Sequence, residues 1–100
     1  MLYAITLLDK PDGAALRARE RPQHKAYLAQ IAERIAFAGP LVADDGTAMI
    51  GSLLVIDFDS REAVNEWLAR EPFTRAGLYA ATQVHAFRNL WPQRVGYPQG

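Results

Sequence analysis

The segment from Met49 to Phe58 narrows the possible folds more than any other part of the chain. It is apolar and rich in strand-forming residues, and it follows Asp44-Asp45-Gly46, a sequence typical of a tight turn. The residues from Ala36 to Ala43 lose helical spacing, so the two segments are predicted to form a β-hairpin. Pro40 cannot donate a backbone hydrogen bond, which predicts that its strand is bulged there or lies at a sheet edge.

A strand and a helix are predicted before the hairpin. Leu2 to Leu8 is short, apolar and β-branched, and it stops at a turn containing Pro11 and Gly13, which indicates a first strand buried on both faces. Residues 14 to about 37 favour a helix, but Pro22 has no N–H, so the helix is predicted to kink or restart there. His24 would then begin a stripe at helical spacing, which continues through Leu28, Ile31 and Ile35.

A second helix and a last strand are predicted after the hairpin. Asp59-Ser60-Arg61-Glu62 reads as a capping box with Asp59 as the cap. The apolar face of the helix includes Val64, and Glu71 falls on that face, just before Pro72. Beyond a turn at Gly77, the alternating residues 79–90 predict the last strand, and the residues from Trp91 onward are expected to form an arm.

The order β, α, β, β, α, β predicts an α+β, ferredoxin-like protomer. In this fold, two helices cover one face of a four-stranded antiparallel sheet. The strands carry apolar residues on both sides, as in the run from Leu53 to Ile56. The uncovered face is therefore expected to bury against a second copy, which predicts a homodimer.

Charge and composition exclude several classes of function. Eleven Lys and Arg balance eleven Asp and Glu, so the chain offers no electrostatic attraction for nucleic acid or an anionic membrane. There is no cysteine, which removes thiolate nucleophiles and zinc ribbons from consideration. No apolar run approaches the roughly 20 residues that span a bilayer. We therefore expect a cytoplasmic protein.

Eight short motifs, in order and spacing, resemble the YciI-like (YCII-related) proteins. They are Asp9-Lys10-Pro11, Leu16-Arg17, Arg21-Pro22-Gln23-His24 with Tyr27-Leu28, Ala38-Gly39-Pro40-Leu41, Gly51-Ser52-Leu53, Phe58-Asp59-Ser60, Glu71-Pro72-Phe73 and Ala76-Gly77-Leu78-Tyr79. The resemblance implies a YCII-related domain over residues 1–90, followed by a tail over residues 91–100. It also implies a dimeric α/β barrel with a pocket and no cofactor.

The same resemblance implies a catalytic pair. In that family a histidine and an aspartate of these motifs are regarded as a catalytic dyad, and the matching residues here are His24 and Glu71. Glutamate replaces the usual aspartate, which places the carboxylate one methylene farther out. A carboxylate bonded to one imidazole nitrogen makes the other nitrogen an effective base near neutral pH. The alternatives are a structural histidine and a glutamate that closes its helix or meets a surface arginine.

Four further residues are candidates for substrate binding. Arg17 and Arg21 would attract an anionic or phenolate substrate, although arginines beside Glu20 are also typical of a solvated helix face. Asp9 ends the first strand and is a pocket candidate, with helix capping as the alternative. Ser52 lies in a strand pattern, not in a nucleophile elbow, so it is a binding candidate only. No metal site is predicted, because the two histidines are far apart.

Three functions remain open from the sequence. The first is a small cofactor-free enzyme that uses His24 and Glu71 for proton transfer in an elimination or isomerisation of a small metabolite, such as a ring compound. The second is a non-catalytic module that binds a small ligand or a partner. The third is a cofactor-independent monooxygenase on the similar barrel scaffold. The first requires the imidazole and the carboxylate to meet beside a cavity.

Overall fold

A computed structural model describes residues 1–91 of the chain. Four strands and two helices follow the predicted order, with a short third helix after the second and a 3₁₀ turn at Ala32–Arg34. The elements are β1 (Leu2–Asp9), α1 (Ala14–Ala29), β2 (Ile35–Val42), β3 (Met49–Asp57), α2 (Arg61–Arg70), α3 (Pro72–Arg75) and β4 (Tyr79–Phe87). The predicted α+β, ferredoxin-like fold is confirmed.

The four strands form one antiparallel sheet in the order β2-β3-β1-β4. β2 and β3 form the predicted hairpin, which places Pro40 on an edge strand opposite Ser52. The register of that pair shifts near both ends of β2. The missing N–H of Pro40 is tolerated because an edge strand pairs on one side only.

The core lies between the sheet and the helices. Tyr3, Ile5 and Leu7 alternate along β1 and are buried against it, while the residues between them are half-buried and Leu8 is 46% exposed. The prediction that β1 is buried on both faces is therefore wrong for the single chain, because the helices cover one face only. The core cluster also includes Leu54, Ile56, Phe58, Val64 and Leu68.

The first helix differs from its prediction at both the proline and the end. α1 runs without interruption through Pro22 and stops at Ala29. The buried Arg17 and His24 anchor the helix on either side of the proline, and Pro22 itself is exposed, so the helix does not restart there. His24 consequently lies in the second half of α1 and not at a helix start.

The predicted stripe from His24 to Ile35 is also wrong beyond Leu28. Ile31 precedes the 3₁₀ turn, and Ile35 begins β2, where it pairs with Ile56. Helical spacing alone cannot separate a long helix from a helix followed by a strand, and the β-branched and aromatic residues here favour pairing with β3.

Smaller differences concern element ends. The cap of α2 is Ser60, whose side chain accepts from the Ala63 amide, and not Asp59. α2 ends at Arg70 as expected, but Pro72 begins the additional helix α3. β4 ends at Phe87, three residues earlier than predicted. The predicted arm falls almost entirely on residues 92–100, outside the described part of the chain. Within residues 1–91, no helix has the length and apolar character needed to cross a membrane.

Candidate active site

A cavity of about 280 Å³ lies between α1 and the edge of the sheet formed by β2 and β3. Its floor consists of buried residues, and its rim consists of exposed residues of α1 and β2. The lining residues are Arg17, Arg21, His24, Lys25, Leu28, Ala38, Gly39, Pro40, Ser52 and Leu54. Four of the predicted site residues therefore line one cavity. They are His24, Arg17, Arg21 and Ser52.

His24, on the floor of this cavity, is in contact with Glu71, which does not itself line the cavity. The ring nitrogen Nδ1 of His24 is hydrogen-bonded to Oε1 of Glu71, and both side chains are buried. A carboxylate only accepts, so Nδ1 carries the proton and donates. The second ring nitrogen, Nε2, then holds a lone pair in the neutral imidazole and is available as a base.

Glu71 is itself fixed by the start of α3. Its second oxygen, Oε2, accepts from the Thr74 amide at 3.0 Å, so the side chain caps that short helix. The α2–α3 junction positions Glu71, because Pro72 stops α2 and starts α3 immediately after it. The additional methylene of glutamate does not prevent the contact with His24.

Phe73 supports the imidazole from behind. Its fully buried ring is stacked on His24, with centroids 4.1 Å apart and planes 16° apart. The guanidinium carbon of Arg17 lies 4.7 Å from the centroid of the same ring. The phenyl ring therefore restricts the imidazole to one plane and joins the two basic side chains of the floor.

Arg17 is held by a two-point ion pair with Asp9. Its Nε and Nη2 atoms donate to the two Asp9 carboxylate oxygens at 2.7 and 2.8 Å, and Nη2 also donates to Ser52 Oγ at 3.1 Å. Burial alone would lower the pKa of Arg17, but the bonds and charge of Asp9 outweigh it and raise the pKa. Asp9 does not line the cavity and acts on it through Arg17.

Tyr79 contacts Ser52 and so joins the group of polar side chains formed by Asp9, Arg17 and Ser52. Its hydroxyl lies 3.3 Å from Ser52 Oγ, and burial raises the pKa of Tyr79 well above the usual range despite the opposing effect of the Ser52 bond. The phenol is therefore neutral at physiological pH, and the Ser52 hydroxyl is oriented by both Arg17 and Tyr79.

Sequence reasoning missed Lys25, Phe73 and Tyr79 as site residues. Aromatic residues such as Phe73 and Tyr79 are most often packing residues, a role that both also have here, and no motif singled out Lys25. Helical spacing offered a signal for Lys25, four residues after Arg21 on the same stripe. No comparable signal links Tyr79 to Asp9, since their pairing depends on the sheet register.

His85 lies away from the site. It pairs with Ala4, whose side chain alternates away from the buried Ile5, so His85 is on the uncovered face of the sheet. Among residues 1–91, no group of three or more His, Asp or Glu side chains is arranged to hold a metal ion.

The chain is similar to a protein family and to several known proteins. The family described as "YCII-related domain" matches residues 1–88. The protein YciI of Escherichia coli O6:H1 is 35% identical over 98 residues, which cover 91% of this chain and all of that protein. An uncharacterized protein of Haemophilus influenzae is 32% identical over the same shares of the two chains.

A solved enzyme has the same fold. It is 5-chloro-2-hydroxyhydroquinone dehydrochlorinase (TftG) from Burkholderia phenoliruptrix AC1100, in complex with 2,5-dihydroxybenzoquinone. The superposition has a TM-score of 0.85 and 35% sequence identity, and it covers 88% of this chain and 94% of that one.

Proposed function

The chain belongs to the YCII-related domain family, and from this premise we propose that it is a small YciI-like enzyme that transfers protons on a small, ring-shaped metabolite. The observation that carries the proposal is the contact of Glu71 with His24, whose ring lies on the floor of a cavity. A buried acid and an imidazole placed together beside a ligand-sized space are typical of acid–base catalysis.

The chemistry follows from the state of the imidazole. Glu71 accepts the Nδ1 proton and thereby leaves the Nε2 lone pair to remove a proton from a hydroxyl or an activated carbon of the substrate. The positive charge that forms on the ring is stabilised by the adjacent Glu71 carboxylate. In an isomerisation, the imidazolium then returns the proton to another substrate atom. In an elimination, the bond to the leaving group breaks, the leaving group departs as an anion with the bonding electron pair, and the imidazolium passes its proton to water.

Ser52 would assist this transfer from the opposite part of the floor. Its hydroxyl, oriented by Arg17 and Tyr79, can donate to an oxygen on which negative charge develops. Arg17 is a positioning residue in this scheme, because Asp9 already occupies two of its donor atoms.

The dehydrochlorinase provides a reaction class for the first test. As its name states, that enzyme removes hydrogen and chloride from a hydroxylated aromatic ring. An elimination of this kind needs a base for the proton, which is the role assigned here to His24. We therefore propose an elimination or isomerisation of a hydroxylated ring compound as the activity to be sought.

The test is turnover of 5-chloro-2-hydroxyhydroquinone and related phenols and lactones, followed as chloride release or by absorbance. His24→Asn should lower kcat by about 10²–10⁴-fold, which is the usual contribution of a general base. Arg19→Gln, an exposed change on the same helix, should leave kcat unchanged. Binding without turnover in the unmodified protein would instead favour the non-catalytic module.

We also propose that a second copy covers the uncovered face of the sheet. Leu8, Phe37 and Phe87 lie on that face by strand alternation, and each is at least 37% exposed in the single chain. Exposed apolar side chains distributed over one sheet face favour association, and two identical faces of a chain with no net charge do not repel each other strongly.

A further inference from the structure

The lining of the cavity is unbalanced in charge. Four of its side chains are basic residue types, Arg17, Arg21, His24 and Lys25, and no acidic residue lines it. The whole chain carries equal numbers of positive and negative residues, so this imbalance does not follow from composition.

The imbalance is concentrated at the rim. Arg17 is paired with Asp9 and His24 with Glu71, so the two basic groups of the floor each have a carboxylate partner. The rim residues Arg21 and Lys25 are exposed and have no acidic partner within 4.0 Å among residues 1–91. The uncompensated positive charge therefore lies at the mouth of the cavity.

The two rim cations are adjacent on the helix. Arg21 and Lys25 are four residues apart, a spacing that brings side chains together on one face of α1. Like charges at this spacing oppose helix formation, so the arrangement does not serve the stability of α1. It does place two donor groups where one small oxyanion can contact both.

The opposite wall is apolar and carries few side-chain atoms. Ala38, Gly39 and Pro40 have small side chains, and a Cβ added at Gly39 would meet nothing within 4 Å. Leu28 and Leu54 complete the apolar surface. A cavity of roughly 150 Å³ accommodates a benzene ring, so about 280 Å³ is sufficient for one ring with substituents.

We infer that the cavity selects a single flat ring with an acidic substituent, whose oxyanion is bound by Arg21 and Lys25 at the rim. The ring lies against the Ala38-Gly39-Pro40 wall, and its reacting end points to His24 and Ser52 on the floor. This inference rests on the proposed function for the reacting end, but the anion contact itself involves neither His24 nor Glu71.

The test compares two ligands of the same shape. 2,5-Dihydroxybenzoate carries a carboxylate, and 2,5-dihydroxybenzamide has a neutral amide in its place. Their dissociation constants would be measured by calorimetry at pH 7 and low salt. The benzoate should bind about tenfold more tightly, because hydrogen bonds to an ionised group are roughly twice as strong as neutral ones.

A double variant and a matched control locate the effect. Arg21→Gln with Lys25→Gln should abolish the preference for the benzoate. Arg19→Gln with Arg88→Gln removes the same total charge away from the cavity and should retain the preference. Equal affinity of the unmodified protein for the two ligands, an equal loss in the control pair, or no binding of either ligand at millimolar concentration would overturn the inference.

The outcomes also separate this inference from the proposed function. If turnover depends on His24 but the two ligands bind with equal affinity, the proposed anion site is wrong and the proposed proton-transfer function is retained. Conversely, a preference that depends on Arg21 and Lys25, without any His24-dependent turnover, would retain the anion site and overturn the proton-transfer function.

Discussion

The imidazole of His24 lies face to face with the phenyl ring of Phe73, 4.1 Å from centroid to centroid. Phe73 has no exposed surface and follows Glu71 by two residues. The segment that supplies the carboxylate thus also supplies the surface on which the imidazole rests. The ring plane and the hydrogen bond of His24 are consequently set by one short stretch of chain.

The Phe73→Leu variant should show that Phe73 affects activity as well as the stability of the fold. The smaller side chain should lower the free energy of unfolding by about 1–3 kcal/mol and lower kcat, because the imidazole is no longer held in one plane. Urea unfolding and turnover would be measured together. Phe58→Leu changes another buried phenylalanine that packs on Trp67, so it should lower stability to a similar extent without changing kcat.

Glu71→Gln should reverse the tautomer of His24. The carboxylate accepts from both His24 and Thr74, but an amide has one acceptor oxygen and one donor nitrogen. If the oxygen keeps the cap on Thr74, the amide nitrogen faces Nδ1 and the ring proton moves to Nε2. Activity should then fall by about 10³–10⁴-fold, the scale of a wrong tautomer at a catalytic histidine.

¹⁵N NMR of the imidazole would measure this change directly, since the two ring nitrogens differ in chemical shift when only one is protonated. Glu62→Gln, in the first turn of α2, serves as the control and should leave the spectrum unchanged. An unaltered tautomer combined with full activity in Glu71→Gln would contradict the proposed role of the carboxylate.

Asp9→Ala should destabilise the protein strongly. The Asp9–Arg17 pair is largely buried, and removal of one partner leaves the other charge without compensation, a loss of about 3–5 kcal/mol. Arg19→Gln removes an exposed pair with Glu20 and should change stability by about 0.5 kcal/mol or less. Urea denaturation of both variants would measure the difference, and equal stabilities would show that the buried pair is not structural.

Alkaline pH should destabilise the fold through Tyr79. Burial raises the pKa of this phenol above its usual range, whereas in the unfolded chain it loses its proton near pH 10. The stability it contributes is therefore fully present below about pH 10 and is lost as the pH rises above that value. Unfolding at a series of pH values from 8 to 11 should show this decline, and Tyr79→Phe should make it less steep.

Association through the uncovered face should depend on Leu8. We expect the protein to sediment as a dimer, and Leu8→Glu should shift it to the monomer because charges would be buried at the interface. Leu90→Glu changes a more exposed leucine outside the sheet and should leave the dimer intact. A monomer in the unmodified protein would contradict the proposed assembly.

The sequence was sufficient for the fold because its main signals are local. The Asp44-Asp45-Gly46 turn and the flanking β-rich runs predicted the hairpin, and the order of elements predicted the architecture. Local signals were also the source of the errors. Pro22 suggested a break in α1, but buried contacts of Arg17 and His24 on both sides keep that helix continuous.

Parts of the candidate site were beyond the reach of pattern analysis. His24 and Glu71 were identified through a family resemblance and by their positions on helix faces. The hydroxyl of Ser52 contacts that of Tyr79, and the guanidinium of Arg17 lies over the ring of Phe73. Both contacts join elements that are distant in the chain. Such contacts depend on sheet register and helix placement, which residue spacing within one segment does not encode.

The position of β2 separates the shape of the cavity from the stability of the core. The strand forms one wall of the cavity, yet in the single chain it is joined to the sheet by β3 alone. Substitutions at residues 38–40 can reshape that wall without disturbing the core or the floor. The shape of the cavity can therefore change without any change in the contact between His24 and Glu71.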